Sequence, residues 1–118
     1  MKTAAAGASV AVGGALGSVA RYAVESTVAG PPSTYFVNVV GCYALGVLLA
    51  GYGFDAVGER ARLLVGVGFL SSFTTYSAFA FDVWTLAPSA AAVYVASTYA
   101  AGFAATALGV ATAEARYA

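Results

Sequence analysis

The stretch Gly68–Phe81 sets five Ser or Thr residues among aromatic rings inside a strongly apolar segment. A helix facing lipid has no use for that chemistry. Ser71-Ser72-Phe73-Thr74-Thr75 clusters hydroxyl and β-branched residues, which compete for backbone hydrogen bonds. Two outcomes follow. Either the helix breaks near mid-membrane, or it stays intact with its hydroxyls bonded to the preceding turn. A break frees carbonyls and N–H groups, which are tolerated only when buried in protein or lining a cavity. Broken helices commonly coordinate ions through such carbonyls. Tyr76 and Phe79, three residues apart, share a face on a helix that resumes after the break. Their ring edges carry partial positive charge and could meet a small anion, or the rings could simply pack.

Other polar residues lie in apolar surroundings. Asn38 brings an amide that is costly against lipid and useful as a donor inside a bundle. Tyr94, Thr98, Gly102 and Thr106 recur every four residues, so they form one stripe along a helix. Its hydroxyls could hand a desolvated anion along, or bond back to their own helix. Arg21 is a cation within the first apolar segment, a functional candidate by default. It could draw anions into a vestibule, or pair with Glu25 one turn later. Asp82 either faces that vestibule or caps a neighbour.

The elements that must position these residues are membrane helices. The 118-residue chain is 61% hydrophobic and 8% charged, against about 25% charged in soluble domains. A spanning helix needs about 20 mainly apolar residues. Four segments qualify, at about 4–28, 34–54, 61–86 and 89–113, which together form one domain over 1–118. Gly30-Pro31-Pro32-Ser33, the polar run Asp55–Arg60 and Ala87-Pro88-Ser89 separate them, with Ser89 a candidate cap. The first segment runs on through Val19, too long for a cleaved signal, and is read as a retained helix. Small residues in Gly13-Gly14-Ala15-Leu16-Gly17, and Gly41 with Gly46, suit close helix packing. Zero net charge and the lack of a basic tract argue against nucleic acid as a partner. One Cys, Cys42, and no His exclude an internal disulfide and the usual zinc sites. Cys42 is read as a small packing residue.

With four spans, Lys2, Arg60, Arg62 and Arg116 share one side, and the opposite loops hold no Lys or Arg. That bias places both termini in the cytoplasm of a multi-pass protein of the cell membrane. It also disfavours a chain inserting equally in two orientations.

These residues resemble the Fluc (CrcB-type) fluoride channels over nearly the whole chain. The matching features are Gly13-Gly14-x-x-Gly17-x-x-x-Arg21-Tyr22, Asn38-x-x-Gly41, Gly68-Phe69-x-x-x-x-Thr74-Thr75-Tyr76-Ser77-x-Phe79, and a fourth helix with a Tyr and a hydroxyl track. The resemblance implies an all-α membrane protein of four transmembrane helices, the third broken near mid-membrane. It further implies an antiparallel, dual-topology-type dimer with two fluoride pores and a structural Na+ at the dimer centre. By motif, the Na+ would take the backbone carbonyls of Ser72 and Thr75. Fluoride would pass Tyr76 and Phe79, assisted by Asn38, then the track of Tyr94 and Thr98, reaching Thr106. Arg21 would stand near the vestibule. The sequence departs from the family pattern at Tyr76, where Phe is usual, at Ser72, where Gly is usual, and at Ala78, where Thr is usual. Gly102 interrupts the track.

The function expected is passive fluoride efflux through a fluoride-selective channel. The one-sided loop charges and the departures together suggest a heterodimer with a related, oppositely oriented subunit. A non-conducting or half-pore partner subunit is the alternative. A proton-coupled transporter of the small multidrug-resistance type fits less well, because its chemistry needs an unpaired acid deep in the first helix. No enzyme is expected: the sequence has no His and no nucleophile paired with a base.

Overall fold

The first helical run ends at Thr27, with Val28 extended, and Gly30 turns the chain into the second for a backbone reason. Its φ of 77° is a left-handed value that glycine adopts without strain. Its carbonyl accepts from Ser33 N–H (3.1 Å) and Thr34 N–H (3.4 Å), so it caps the next helix. The computed structural model describes residues 2–50 and 58–117, and among these every regular element is helical. α1 spans Thr3–Thr27 and α2 spans Pro31–Leu49. The third span, Gly58–Thr85, contains α3 (Arg62–Leu70), α4 (Ser71–Phe73) and α5 (Tyr76–Thr85). α6 spans Pro88–Tyr117.

Four of these runs are long and apolar enough to cross a membrane. The protein is an all-helical, multi-pass membrane protein. Its helix starts differ from the sequence reading at two prolines. α2 begins at Pro31, not near Thr34, because proline lacks only an N–H that the first turn leaves unpaired anyway. α6 likewise begins at Pro88. The Ala87 carbonyl accepts from Ala91 N–H (2.8 Å), which puts Ser89 inside the helix rather than at its cap. α6 also continues through Glu114 and Arg116: charge ends an apolar window without ending a helix. Of the expected 55–60 loop, Gly58, Glu59 and Arg60 are already helical. Residues 55–57, and 51–54 of the expected second helix, lie outside the described residues.

The helices associate in two main pairs, α1 with α3 and α2 with α6. Glycine makes both seams. A Cβ on Gly13 would overlap the Leu64 carbonyl, and one on Gly17 the Phe69 carbonyl. Across the other seam, a Cβ on Gly46 would overlap the Thr106 carbonyl and one on Gly109 the Tyr43 carbonyl. Backbones therefore touch where larger residues would hold them apart, the usual source of helix association in lipid.

α3 is wound as a π-helix over nine residues. π turns are rare, short and frequent at functional sites. Here the wide turns lie against the glycine face of α1 and lead directly into α4 and the break.

Candidate functional site

The third span breaks at Thr74-Thr75. Both residues are extended, with φ/ψ of −81°/159° and −148°/123°. The helical ladder runs as far as Thr74 N–H, which donates to the Leu70 carbonyl (3.1 Å). Thr74 Oγ1 donates to the same carbonyl (2.8 Å), so hydroxyl competition at the helix end is visible in one atom. The next N–H, that of Thr75, leaves the ladder. It donates to Asn38 Oδ1 (2.7 Å), while Asn38 Nδ2 donates to the Thr75 carbonyl (2.9 Å). One amide side chain thus satisfies both backbone groups of one extended residue. The Ser71 carbonyl has lost its i+4 donor.

The chain restarts cleanly. Thr75 caps α5, its Oγ1 accepting from Ala78 N–H (3.1 Å). One turn along α2 from Asn38, Gly41 leaves room for Thr74: a Cβ there would overlap Thr74 Cγ2. The Asn38-x-x-Gly41 pair therefore works as a unit, the first residue binding the break and the second admitting it. Arg21 reaches the same place from α1. Its guanidinium donates to the Thr74 carbonyl (3.4 Å), and its Nε stands 3.6 Å from Glu25 Oε1. The Arg21–Glu25 pair and the contact with the break thus coexist.

A groove of about 430 Å³ runs along this break. Asn38, Thr74, Thr75, Tyr76, Phe79, Thr98, Gly102 and Thr106 line it. It gathers residues of α2, α4–α5 and α6 that lie up to 68 positions apart, from Asn38 to Thr106. Because Thr75 and Tyr76 are the cap and first residue of α5, the positive end of that helix dipole lies in the groove wall. Tyr76 and Phe79 do share a face, with ring centroids 6.0 Å apart. They differ sharply in exposure: Tyr76 is 73% exposed and Phe79 8%.

The fourth-helix stripe divides. Thr98 Oγ1 is buried without a hydrogen-bond partner and lines the groove. Thr106 Oγ1 bonds back to the Gly102 carbonyl (2.9 Å) and also approaches the Cys42 carbonyl (3.3 Å). Tyr94 lies outside the groove lining. Its ring lies 5.3 Å from that of Phe79, tilted by 33°, and its hydroxyl donates to Asp82 Oδ2 (2.9 Å), which gives the buried Asp82 its partner. Ser72 stands in α4 with its side chain toward Gly14 of α1. Cys42 faces Gly102 across the α2–α6 seam and borders the groove.

Residues that the sequence reading passed over also line the groove, among them Tyr99 and Phe103, alongside Ser71 of the hydroxyl cluster. Tyr99 meets Phe79 nearly edge to face, at 6.0 Å and 84°. Its i, i+4 spacing with Phe103, directly beside Thr98, was the signal that could have found it.

The family model described as CrcB-like protein, Camphor Resistance (CrcB), matches residues 8–110. This chain belongs to the CrcB-like family. Among relatives, it is 47% identical over 102 residues to "Fluoride-specific ion channel FluC 2" of Halobacterium salinarum, covering 85% of this chain and 80% of the relative. It is 45% identical over 99 residues to "Fluoride-specific ion channel FluC 1" of Natronomonas pharaonis, covering 80% and 82%. It is 36% identical over 116 residues to "Fluoride-specific ion channel FluC" of Roseiflexus sp., covering 89% and 94%. The region shared with the CrcB-like family contains α2, the broken span and all the groove-lining residues of α6.

Proposed function

We propose that this chain is a subunit of a fluoride-selective channel that lets fluoride leave the cell passively. The observation that carries the reading is the groove at the helix break. There a buried Thr98 hydroxyl without a partner, the α5 N-terminus and the ring pair Tyr76–Phe79 lie along one passage. An anion passing a narrow channel must exchange water for fixed donors, and these groups are donors or electropositive edges. Arg21, 32% exposed at its side chain, stands where it can both steady the break and attract anions. The names of the relatives point the same way.

The assembly proposed is an antiparallel dimer with Na+ at its centre, held by the carbonyls of Ser72 and Thr75. The donor set suits a hard cation, which prefers neutral and anionic oxygen ligands. The Thr75 carbonyl keeps a second lone pair after accepting from Asn38. The Ser72 carbonyl stands in the last turn before the break. Such a cation would supply a fixed positive charge between the two grooves. Asn38 holds the Thr75 carbonyl in place, and Arg21 does the same for Thr74. The Lys/Arg asymmetry of the loops favours one orientation, with both termini cytoplasmic. That in turn favours an oppositely oriented, related chain as the natural partner. The exposed Tyr76 phenol leaves a second reading, a half-pore subunit that conducts only beside that partner.

The test is fluoride efflux from liposomes holding this chain alone, then with a related chain of opposite loop charge. Flux in either condition is expected. Absence of flux in both would sink the channel reading, and flux only in the mixture would select the heterodimer.

A further inference from the structure

The groove contains hydroxyl groups beyond those of the sequence motifs named above. Tyr99 of α6 lies beside Thr98 and lines the same passage as Tyr76 and Phe79. Its ring stands 6.0 Å from Phe79 at 84°, and 6.2 Å from Phe103 at 51°. Among the described residues, neither the Tyr99 nor the Tyr76 hydroxyl makes a hydrogen bond, and Thr98 Oγ1 has none although it is buried. Tyr99 is 50% exposed, so its phenol is open to whatever occupies the groove and can donate to it. Packing alone would be met as well by Phe.

We infer that Tyr99 is a further residue of the anion passage, its phenol donating to the desolvated anion beside Thr98 while its ring fixes Phe79 edge-on. This rests on the fluoride-channel reading above. The edge-to-face contact sets which part of the Phe79 ring faces the groove, because aromatic pairs hold preferred orientations. The hydroxyl then adds a donor to an otherwise aromatic stretch, where a small, strongly hydrated anion gains more from an O–H than a larger one does. Tyr99 thereby favours fluoride over chloride.

Fluoride and chloride efflux from liposomes, measured for wild type, Tyr99→Phe and Tyr99→Leu, tests this, with the thermal unfolding midpoint of each protein in detergent. Tyr99→Phe is expected to keep the wild-type midpoint and to lose fluoride flux by about tenfold, the scale of one donor to an anion. Tyr99→Leu is expected to lose flux further and to narrow the fluoride-to-chloride ratio. Wild-type conduction with an unchanged Tyr99→Phe flux overturns this inference alone. A Tyr99→Phe loss accompanied by a lower midpoint overturns the donor assignment in favour of packing. A wild-type protein that carries no fluoride with or without its partner overturns the channel reading, and this inference with it.

Discussion

Replacing Asn38 with Ala should loosen the break more than any other single change on α2. Two hydrogen bonds go at once, at 2.7 and 2.9 Å. The Thr75 N–H is left without its acceptor in a residue only 7% exposed. Interhelical polar contacts in membranes average about 0.6 kcal/mol, because polar groups in the unfolded chain also find partners. A buried backbone donor left unsatisfied costs more, about 1–3 kcal/mol. The second effect should dominate, since the extended Thr75 has no helical neighbour to turn to. Asn38→Ala is therefore expected to cost about 2 kcal/mol, roughly a thirtyfold shift in the unfolding equilibrium. Asn38→Asp keeps the acceptor for Thr75 N–H but sets an oxygen against the Thr75 carbonyl, so it should not rescue. An SDS titration followed by circular dichroism gives the equilibrium, and liposome efflux gives the functional cost. An Asn38→Ala protein within about 0.5 kcal/mol of wild type, with unchanged flux, would refute the clamp.

Thr75→Val removes the α5 cap at Ala78 N–H and is expected to cost about 1 kcal/mol, with Thr75→Ser restoring it; the same titration decides. Gly17→Leu drives a side chain into the Phe69 carbonyl and should abolish recovery of folded protein on size-exclusion chromatography, whereas Gly7→Leu, with open space around it, should not. Deleting Val67, an exposed residue of α3, turns a five-residue π closure into a four-residue α closure and should leave the break in register with Asn38. In an ordinary α-helix the same deletion would rotate the break by about 100° and end fluoride efflux. Exchanging Na+ for N-methylglucamine during purification should lower the thermal midpoint; an unchanged midpoint would count against carbonyl-held Na+.

Much of this arrangement was legible locally. The four spans follow from apolar length, and the crowding of Ser71–Thr75 points to the place where the backbone is contested while leaving a break and an intact helix both open. Asn38 was recognisable as a donor that needed a bundle interior. What the sequence could not supply was the partner. Asn38 and Thr75 lie 37 positions apart, and Arg21 and Thr74 lie 53 apart; no local pattern links them. The π winding of α3 was hidden for a related reason, since it arises where α3 meets the glycine face of α1. Pro31 and Pro88 read as interruptions because proline breaks helix interiors, yet each stands in a first turn where that penalty vanishes. Tyr99 escaped notice because aromatic residues are common in spans. Its place in the groove lining and its 84° contact with Phe79 distinguish it from lipid-facing rings.

The α2–α6 seam also has a consequence in time. α2 leaves the ribosome well before α6 is made, and synthesis runs at roughly 5–20 residues per second. For some seconds, then, the glycine face of α2 stands in the bilayer without the helix that will cover it. Asn38 has the same problem until the third span arrives with Thr75. A nascent chain in that state offers a bare small-residue surface and an unpaired amide to any neighbouring helix. Biogenesis of this protein therefore depends on what shields α2 during the interval. Slowing translation between residues 50 and 88 should lower the yield of folded protein without altering a single contact in the finished molecule.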